Sequence, residues 1–115
     1  MLESRNIDTP DEKVGFDHGE LRVVNLPGFT LVQATYRPGW TWSGDVKPRV
    51  GTASCQQPHA GIVISGRFTV RTDEGEERVL GPGDAHVVSP GHDAWVVGDE
   101  PCVILDVAFP GGAAS

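Results

Sequence analysis

Two tight turns around a short apolar run constrain the fold of this chain more than any other feature. They are formed by LGPGD at residues 80–84 and by PGHDAW at residues 90–95. Pro presets φ and Gly accepts positive φ, so both segments favour tight turns, and the run between them suits one strand. Upstream, IVISGRF at residues 62–68 predicts a strand, a glycine corner and a second strand. This spacing indicates an antiparallel fold of short strands.

The composition supports one compact domain and argues against several classes of protein. The 15 glycines and 9 prolines are spread over the 115 residues as turn positions, which favours many short strands over disorder. The formal net charge is −7, and without a basic face a nucleic-acid partner is not expected. No apolar run reaches bilayer length, and residues 1–5 lack the pattern of a signal peptide. We therefore expect a cytoplasmic protein with no membrane partner, in which Cys55 and Cys102 are thiols rather than a disulfide.

The order of turns and apolar runs predicts three parts. Residues 1–18 form a polar N-terminal arm that is loose or lies across the barrel, residues 19–110 form a single barrel domain, and residues 111–115 form a flexible tail. Within the domain, Trp40 and Trp42 alternate as in a strand, which places both indoles on one face, and residues 43–48 follow as a loop. Further strands are predicted at residues 20–25, 29–36, 67–72, 77–80, 85–89, 92–97 and 103–109.

These turns and strands resemble the cupin superfamily over roughly residues 28–109. Gly66 matches the glycine that closes the first cupin motif, and Gly83 and Gly91 match the second motif. The resemblance implies an all-β antiparallel jelly-roll barrel that encloses a pocket. In metal-binding cupins, two His and one Glu of the first motif and one His of the second hold a divalent cation.

None of these four ligands stands in its usual place in this chain. His59 falls on the Glu position and Ala94 on the second-motif His position. The His-x-His pair falls on Ala53 and Cys55, or on residues 52 and 54 if the spacing is longer by one. The resemblance therefore implies the barrel more directly than it implies an ordinary iron or manganese site.

Strand alternation suggests a substitute site made of Cys55, His59 and His92. Residues an even number apart on one strand share a face, so His59 shares the face of Cys55, and His92 shares the inward face of position 94. A thiolate and two imidazoles suit one divalent ion, zinc or iron, with an open fourth position. The alternatives are a small buried Cys55, a hydrogen-bonded core His59, a surface His92 beside a turn, and no cofactor. The face taken by His86 is undetermined.

Aromatic residues and one lysine are the candidates for ligand contacts. Trp40, Trp42 and Trp95 are predicted to line the ligand cavity, and the alternative is that they plug the ends of the barrel. Lys47 is placed to reach the mouth and pair with an anionic substrate, or else it is simply solvated.

The predicted function is that of a small-molecule-binding cupin, with the balance towards an enzyme of small-molecule or secondary metabolism. His59 and His92 are the predicted catalytic residues for acid–base chemistry of the isomerase, cyclase or lyase type, assisted by a metal if Cys55 helps to bind one. The alternatives are a non-catalytic ligand-binding or sensor cupin, and a metal-dependent dioxygenase. The resemblance also implies a homodimer, since many cupins pair barrel strands and so protect exposed edges.

Overall fold

The computed structural model describes residues 1–108, and this part of the chain forms nine strands and two short helices. Their bounds are β1 Glu12–Phe16, β2 Gly19–Leu26, β3 Phe29–Tyr36, α1 Trp42–Asp45, α2 Lys47–Val50, β4 His59–Ser65, β5 Phe68–Thr72, β6 Glu77–Leu80, β7 Ala85–Val88, β8 His92–Val96 and β9 Cys102–Ala108. The expected tail at residues 111–115 lies outside the described residues. None of the described helices is long and apolar enough to cross a bilayer.

The strands form two antiparallel sheets that face each other. The larger sheet has six strands in the order β1-β2-β3-β9-β4-β7, and the smaller has three in the order β6-β5-β8. Their inner faces meet in one core, where Val63 and Ile104 of the larger sheet and Phe68 and Val70 of the smaller are buried. The predicted all-β jelly-roll fold is confirmed.

Gly66 makes the corner at which the chain passes from the larger sheet to the smaller. Its φ is +72°, a left-handed conformation that residues with a Cβ rarely adopt. A Cβ at this position would also collide with the backbone of Pro101 and Cys102. The corner therefore requires glycine, and it sets the direction in which β5 leaves β4.

Residues 12–16, part of the expected N-terminal arm, form the edge strand β1. β1 pairs with β2 in a hairpin whose turn holds His18 at a φ of 62°. Phe16 reaches the barrel interior and its ring lies 6.2 Å from that of Tyr36. Only Val14 and Phe16 are apolar in β1, which is too short an alternation to indicate a strand, and the sheet therefore begins at residue 12 rather than residue 19.

The segment after β3 is helical, so the predicted strand at Trp40 to Trp42 is wrong. The Thr41 hydroxyl accepts a hydrogen bond from the Gly44 N–H at 2.9 Å, and the Asp45 carboxylate accepts one from the Thr41 N–H at 3.0 Å. These reciprocal contacts cap α1 and outweigh the local β pattern. Both indoles are nevertheless buried, with exposures of 4% for Trp40 and 5% for Trp42.

Candidate functional site

A cavity of about 350 Å³ lies between the two sheets. Its wall is mostly apolar and includes Trp40 and Trp42. Its outer end is bordered by Val14 of β1 and Val50 of α2, which are 48% and 55% exposed. Its inner end lies against β4, which three strands separate from β1 in the larger sheet. The two ends are therefore built from different parts of the chain.

Cys55, His59 and His92 come together at the inner end. One ligand atom from each lies within 4.8 Å of the others, and the Cys55 Sγ is 4.0 Å from the His59 Nε2. An isolated β-bridge between Cys55 and His92 holds two of them: the Cys55 N–H donates to the His92 carbonyl at 2.7 Å. Alternation along β4 turns His59 inward together with Val63, which is 1% exposed.

Both imidazoles are oriented by a hydrogen bond at Nδ1. The His59 Nδ1 lies 3.0 Å from the Asp106 Oδ2, and the His92 Nδ1 lies 2.8 Å from the Ser89 carbonyl oxygen. Since a carboxylate and a carbonyl only accept, each Nδ1 carries the hydrogen. In the neutral ring this leaves the Nε2 lone pair available, which is the state that binds metals.

The cluster stabilises separated charges. Burial opposes the thiolate, but hydrogen bonds from His59 and His92 outweigh it and lower the pKa of Cys55 to about 6. Burial likewise opposes the imidazolium, but the Asp106 carboxylate and Cys55 outweigh it and raise the pKa of His59 to about 9. Without a metal, the pair is therefore a thiolate and an imidazolium at neutral pH. A thiolate is the form of cysteine that binds metals and attacks electrophiles.

Asp106 and His86 extend the cluster and were not predicted from the sequence. While one carboxylate oxygen of Asp106 contacts His59, the other lies 3.5 Å from the His86 Nε2, an electrostatic contact longer than a well-formed hydrogen bond. The His86 side chain is 5% exposed, and within residues 1–108 its Nδ1 has no hydrogen-bond partner. Burial would raise the pKa of Asp106, but the two histidines lower it.

Gly61 makes room for this contact. It is the cross-strand neighbour of Asp106 on one side and of His86 on the other. The side chains of Asp106 and His86 therefore flank a position that has no side chain. A Cβ at Gly61 would lie 2.5 Å from the Asp106 Oδ1. A signal for Asp106 was present, because it is the one charged residue in the apolar run at residues 102–108, where charges are rarely buried without a partner.

The cupin domain family matches residues 54–108, which include every residue of the inner end. The chain is a cupin. KdgF from Halomonas sp. is 25% identical, with 79% of this chain and 77% of that chain covered and a TM-score of 0.55. No curated protein matches the chain.

Two further solved structures are similar in fold. Ectoine synthase from P. lautus is 14% identical, covers 98% of this cupin and 81% of its own chain, and has a TM-score of 0.70. The polyketide cyclase RemF from Streptomyces resistomycificus is 17% identical, with 99% and 85% covered and a TM-score of 0.64. At these identities the similarity establishes the barrel alone.

The donor set of this cupin fits a divalent metal ion. Bonds of about 2.0–2.1 Å to nitrogen and 2.3 Å to sulfur place the ligands of a tetrahedral zinc ion about 3.3–3.8 Å apart. The Cys55 Sγ and the His59 Nε2 are 4.0 Å apart, and all three ligand atoms lie within 4.8 Å of one another, so the cluster is wider than a closed zinc site and would contract around the ion. Cys55, His59 and His92 would hold the ion, zinc or iron, and leave one position open.

The remaining predicted contact residues divide into two groups. Trp40 and Trp42 line the cavity, as does His86, whose face the sequence left undetermined. Neither Trp95 nor Lys47 is among the described residues that line it. Because Ala94 points into the barrel, alternation on β8 turns Trp95 to the opposite face, where it stands across from Thr69.

Proposed function

We propose that this cupin is an enzyme that binds a small molecule in the cavity and transforms it by metal-assisted chemistry of the isomerase, cyclase or lyase type. One observation carries the proposal: three good ligand atoms lie within 4.8 Å of one another at the inner end of a mostly apolar cavity. A site of this kind, with few polar groups in an apolar enclosure, is the usual form of a small-molecule site.

The residues of the inner end have distinct roles in this proposal. Cys55, His59 and His92 would hold the ion, which when bound supplies Lewis acidity at its open position. Asp106 fixes the ring of His59 so that Nε2 faces Cys55. The side chains beside the cluster are mostly apolar, and a less polar environment strengthens the electrostatic interactions there.

A second candidate is metal-free acid–base catalysis by His59. It is favoured by the Asp106 contact of 3.0 Å and by the raised pKa of His59 near 9, which keep a proton on a ring that faces the cavity. Cys55, as a thiolate beside it, would accept a proton in return. Ectoine synthase and a polyketide cyclase share this fold, which is compatible with either candidate.

Metal content and turnover, measured together, test the proposal. Protein purified without chelators is expected to contain one equivalent of zinc or iron, and Cys55→Ala is expected to lose it. Cys102→Ala is the matched control, because Cys102 is a second buried thiol that does not line the cavity. If Cys55→Ala keeps the metal, the site assignment is wrong; if the wild type lacks metal but turnover requires His59, the second candidate replaces the first.

We also propose that two copies pair through the outer face of the six-stranded sheet. Ile62, Ile64 and Val87 are 38%, 48% and 66% exposed. The inward burial of Val63 turns Ile62 and Ile64 outward, and Val87 lies on the same face because it pairs with Ala60. Sedimentation equilibrium should show a wild-type dimer and an Ile64→Lys monomer, with Val79→Lys on the other sheet as the control. A monomeric wild type would refute this pairing.

The proposal includes a cytoplasmic location, because the site needs Cys55 as a free thiol.

A further inference from the structure

The outer end of the cavity carries two charged residues that the proposed site does not use, Asp45 and Arg49. The Asp45 carboxylate is already engaged, since one oxygen accepts from the Thr41 N–H at 3.0 Å and the other lies 3.1 Å from the His18 Nδ1. Arg49 forms no ion pair with any residue in the part of the chain that the structure describes. At this end of the cavity, therefore, the guanidinium of Arg49 is exposed and, among the described residues, free of an ion pair, whereas the Asp45 carboxylate is held by the hairpin and the helix.

Short helix α2 determines which cation reaches the cavity. Val46, Arg49 and Val50 all line it, and their spacing of three and four residues puts them on one side of a helix. Lys47 precedes Arg49 by two residues on the same helix and therefore points away, and it is absent from the described lining. Gly51, with a φ of 77°, ends the helix. The sequence predicted that Lys47 pairs with an anionic substrate, whereas the structure favours Arg49 for this contact.

The rest of the cavity limits what such an anion is attached to. Apart from Asp45, Arg49, Gln57 and the polar residues of the inner end, the described lining of the cavity is apolar or aromatic and includes Trp42 and Phe16. The whole chain carries a formal net charge of −7, which repels anions from most of the surface. Arg49 attracts them locally at this entrance. Among anions, a carboxylate matches the planar guanidinium because both of its oxygens accept from it.

We infer that the cavity binds an apolar carboxylate, with the carboxylate at Arg49 and the apolar body between the sheets. The end of the body away from the carboxylate then lies at Cys55, His59 and His92. This inference deepens the proposed function and rests on it for the inner end only. The other possible orientation places the carboxylate at the inner cluster and leaves Arg49 without a role.

Isothermal titration with 2-naphthoate and its neutral isostere 2-naphthamide tests the inference. The wild type is expected to prefer the carboxylate by about tenfold or more, the effect of one charge-assisted hydrogen-bond pair. Arg49→Gln should lower naphthoate affinity to that of the amide and leave the amide unchanged. Arg49→Lys should lie between them, since it keeps the charge and loses the bidentate geometry. Lys47→Gln, two residues away on the same helix, should behave as the wild type.

Three results would overturn the inference: equal affinity of the wild type for both compounds, no binding of either, or an unchanged preference in Arg49→Gln. Cys55→Ala separates this inference from the proposed function. If Cys55→Ala loses metal but keeps the preference, both stand. If it keeps metal and the preference still depends on Arg49, only the proposed function fails. If the preference requires Cys55 and not Arg49, the carboxylate binds at the inner end and the inference fails.

Discussion

Two Asp–His pairs differ in what surrounds them rather than in the length of their contact: both His59 and Asp106 line the cavity, whereas only Asp45 of the second pair is among its described lining residues. At the inner end the His59 Nδ1 is 3.0 Å from Asp106, and at the outer end the His18 Nδ1 is 3.1 Å from Asp45. The His18 side chain is 50% exposed, whereas that of His59 is 29% exposed. A short contact alone therefore does not make a site.

The surroundings of the second histidine nitrogen account for the difference. The Nε2 of His59 faces a thiol and lies beside the ring of His92, whose centroid is 5.2 Å from its own. His18 lies in a hairpin turn, and its partner Asp45 is also the residue that caps α1. The inner pair is thus placed to hold a ligand atom in position, and the outer pair to fasten the hairpin to the helix.

The largest expected effect is a difference in reactivity between the two buried thiols. The pKa of Cys55 is lowered to about 6 despite burial, by hydrogen bonds from His59 and His92, whereas burial raises the pKa of Cys102 to about 11. At pH 7 their thiolate fractions differ by about 10⁴. In metal-stripped protein, iodoacetamide should therefore modify Cys55 first, as read by mass spectrometry of peptides, and zinc should suppress the reaction.

The pH dependence of alkylation follows from the direction in which the pKa of Cys55 is shifted. Because the folded pKa of Cys55 lies below its ordinary value of 9.0, alkylation should fall as the pH drops through about 6. The related stability contribution is complete above pH 9 and is lost as the pH falls towards 6. His59→Asn removes one of the groups that lower the pKa and should shift the midpoint upward. Equal reaction rates at Cys55 and Cys102 would show that the inner cluster does not activate its thiol.

The second prediction compares the two carboxylates. Asp106→Asn keeps the shape of the side chain but weakens the hold on His59, and it should reduce zinc affinity by about 10- to 100-fold. Asp45→Asn changes the corresponding carboxylate at the outer end and should leave zinc affinity unchanged. Competition titration against a chelator dye measures both, and thermal melting checks that each variant folds. Equal losses would mean that zinc affinity follows the general stability of the barrel.

The two ends also differ in how far the sequence determines them. The sequence grouped Cys55, His59 and His92 correctly, and the parity of His92 with position 94 holds along β8. The assumed strand alternation between Cys55 and His59 is wrong, because β4 begins only at His59 and Cys55 is held by its bridge to His92. The contact of His86 with Asp106 was not accessible in this way, because it depends on the register of three paired strands across Gly61. At the outer end, the Trp40 and Trp42 alternation was misleading because side-chain caps from Thr41 and Asp45 decide the local conformation.

The smallest effect is expected from adding one methyl group at each end. At Gly61, between β9 and β7, a Cβ would collide with the Leu105 carbonyl oxygen, and strand backbone cannot give way as a flexible side chain can. Gly61→Ala should therefore destabilise the protein by about 2 kcal/mol, a factor of about 30 in the unfolding equilibrium. Because the Asp106 carboxylate is displaced as well, zinc affinity should fall too.

Gly15 of β1 is the matched position at the outer end. A Cβ there would have nothing within 4 Å, and its φ is not in the left-handed region. Gly15→Ala should therefore change stability by no more than about 0.5 kcal/mol. Urea unfolding of both variants, with zinc titration of the folded protein, measures the contrast. If Gly61→Ala were as stable as Gly15→Ala and bound zinc normally, β4 and β9 would lie farther apart than the structure shows, and the support that Asp106 gives to His59 would not depend on an open position between the strands.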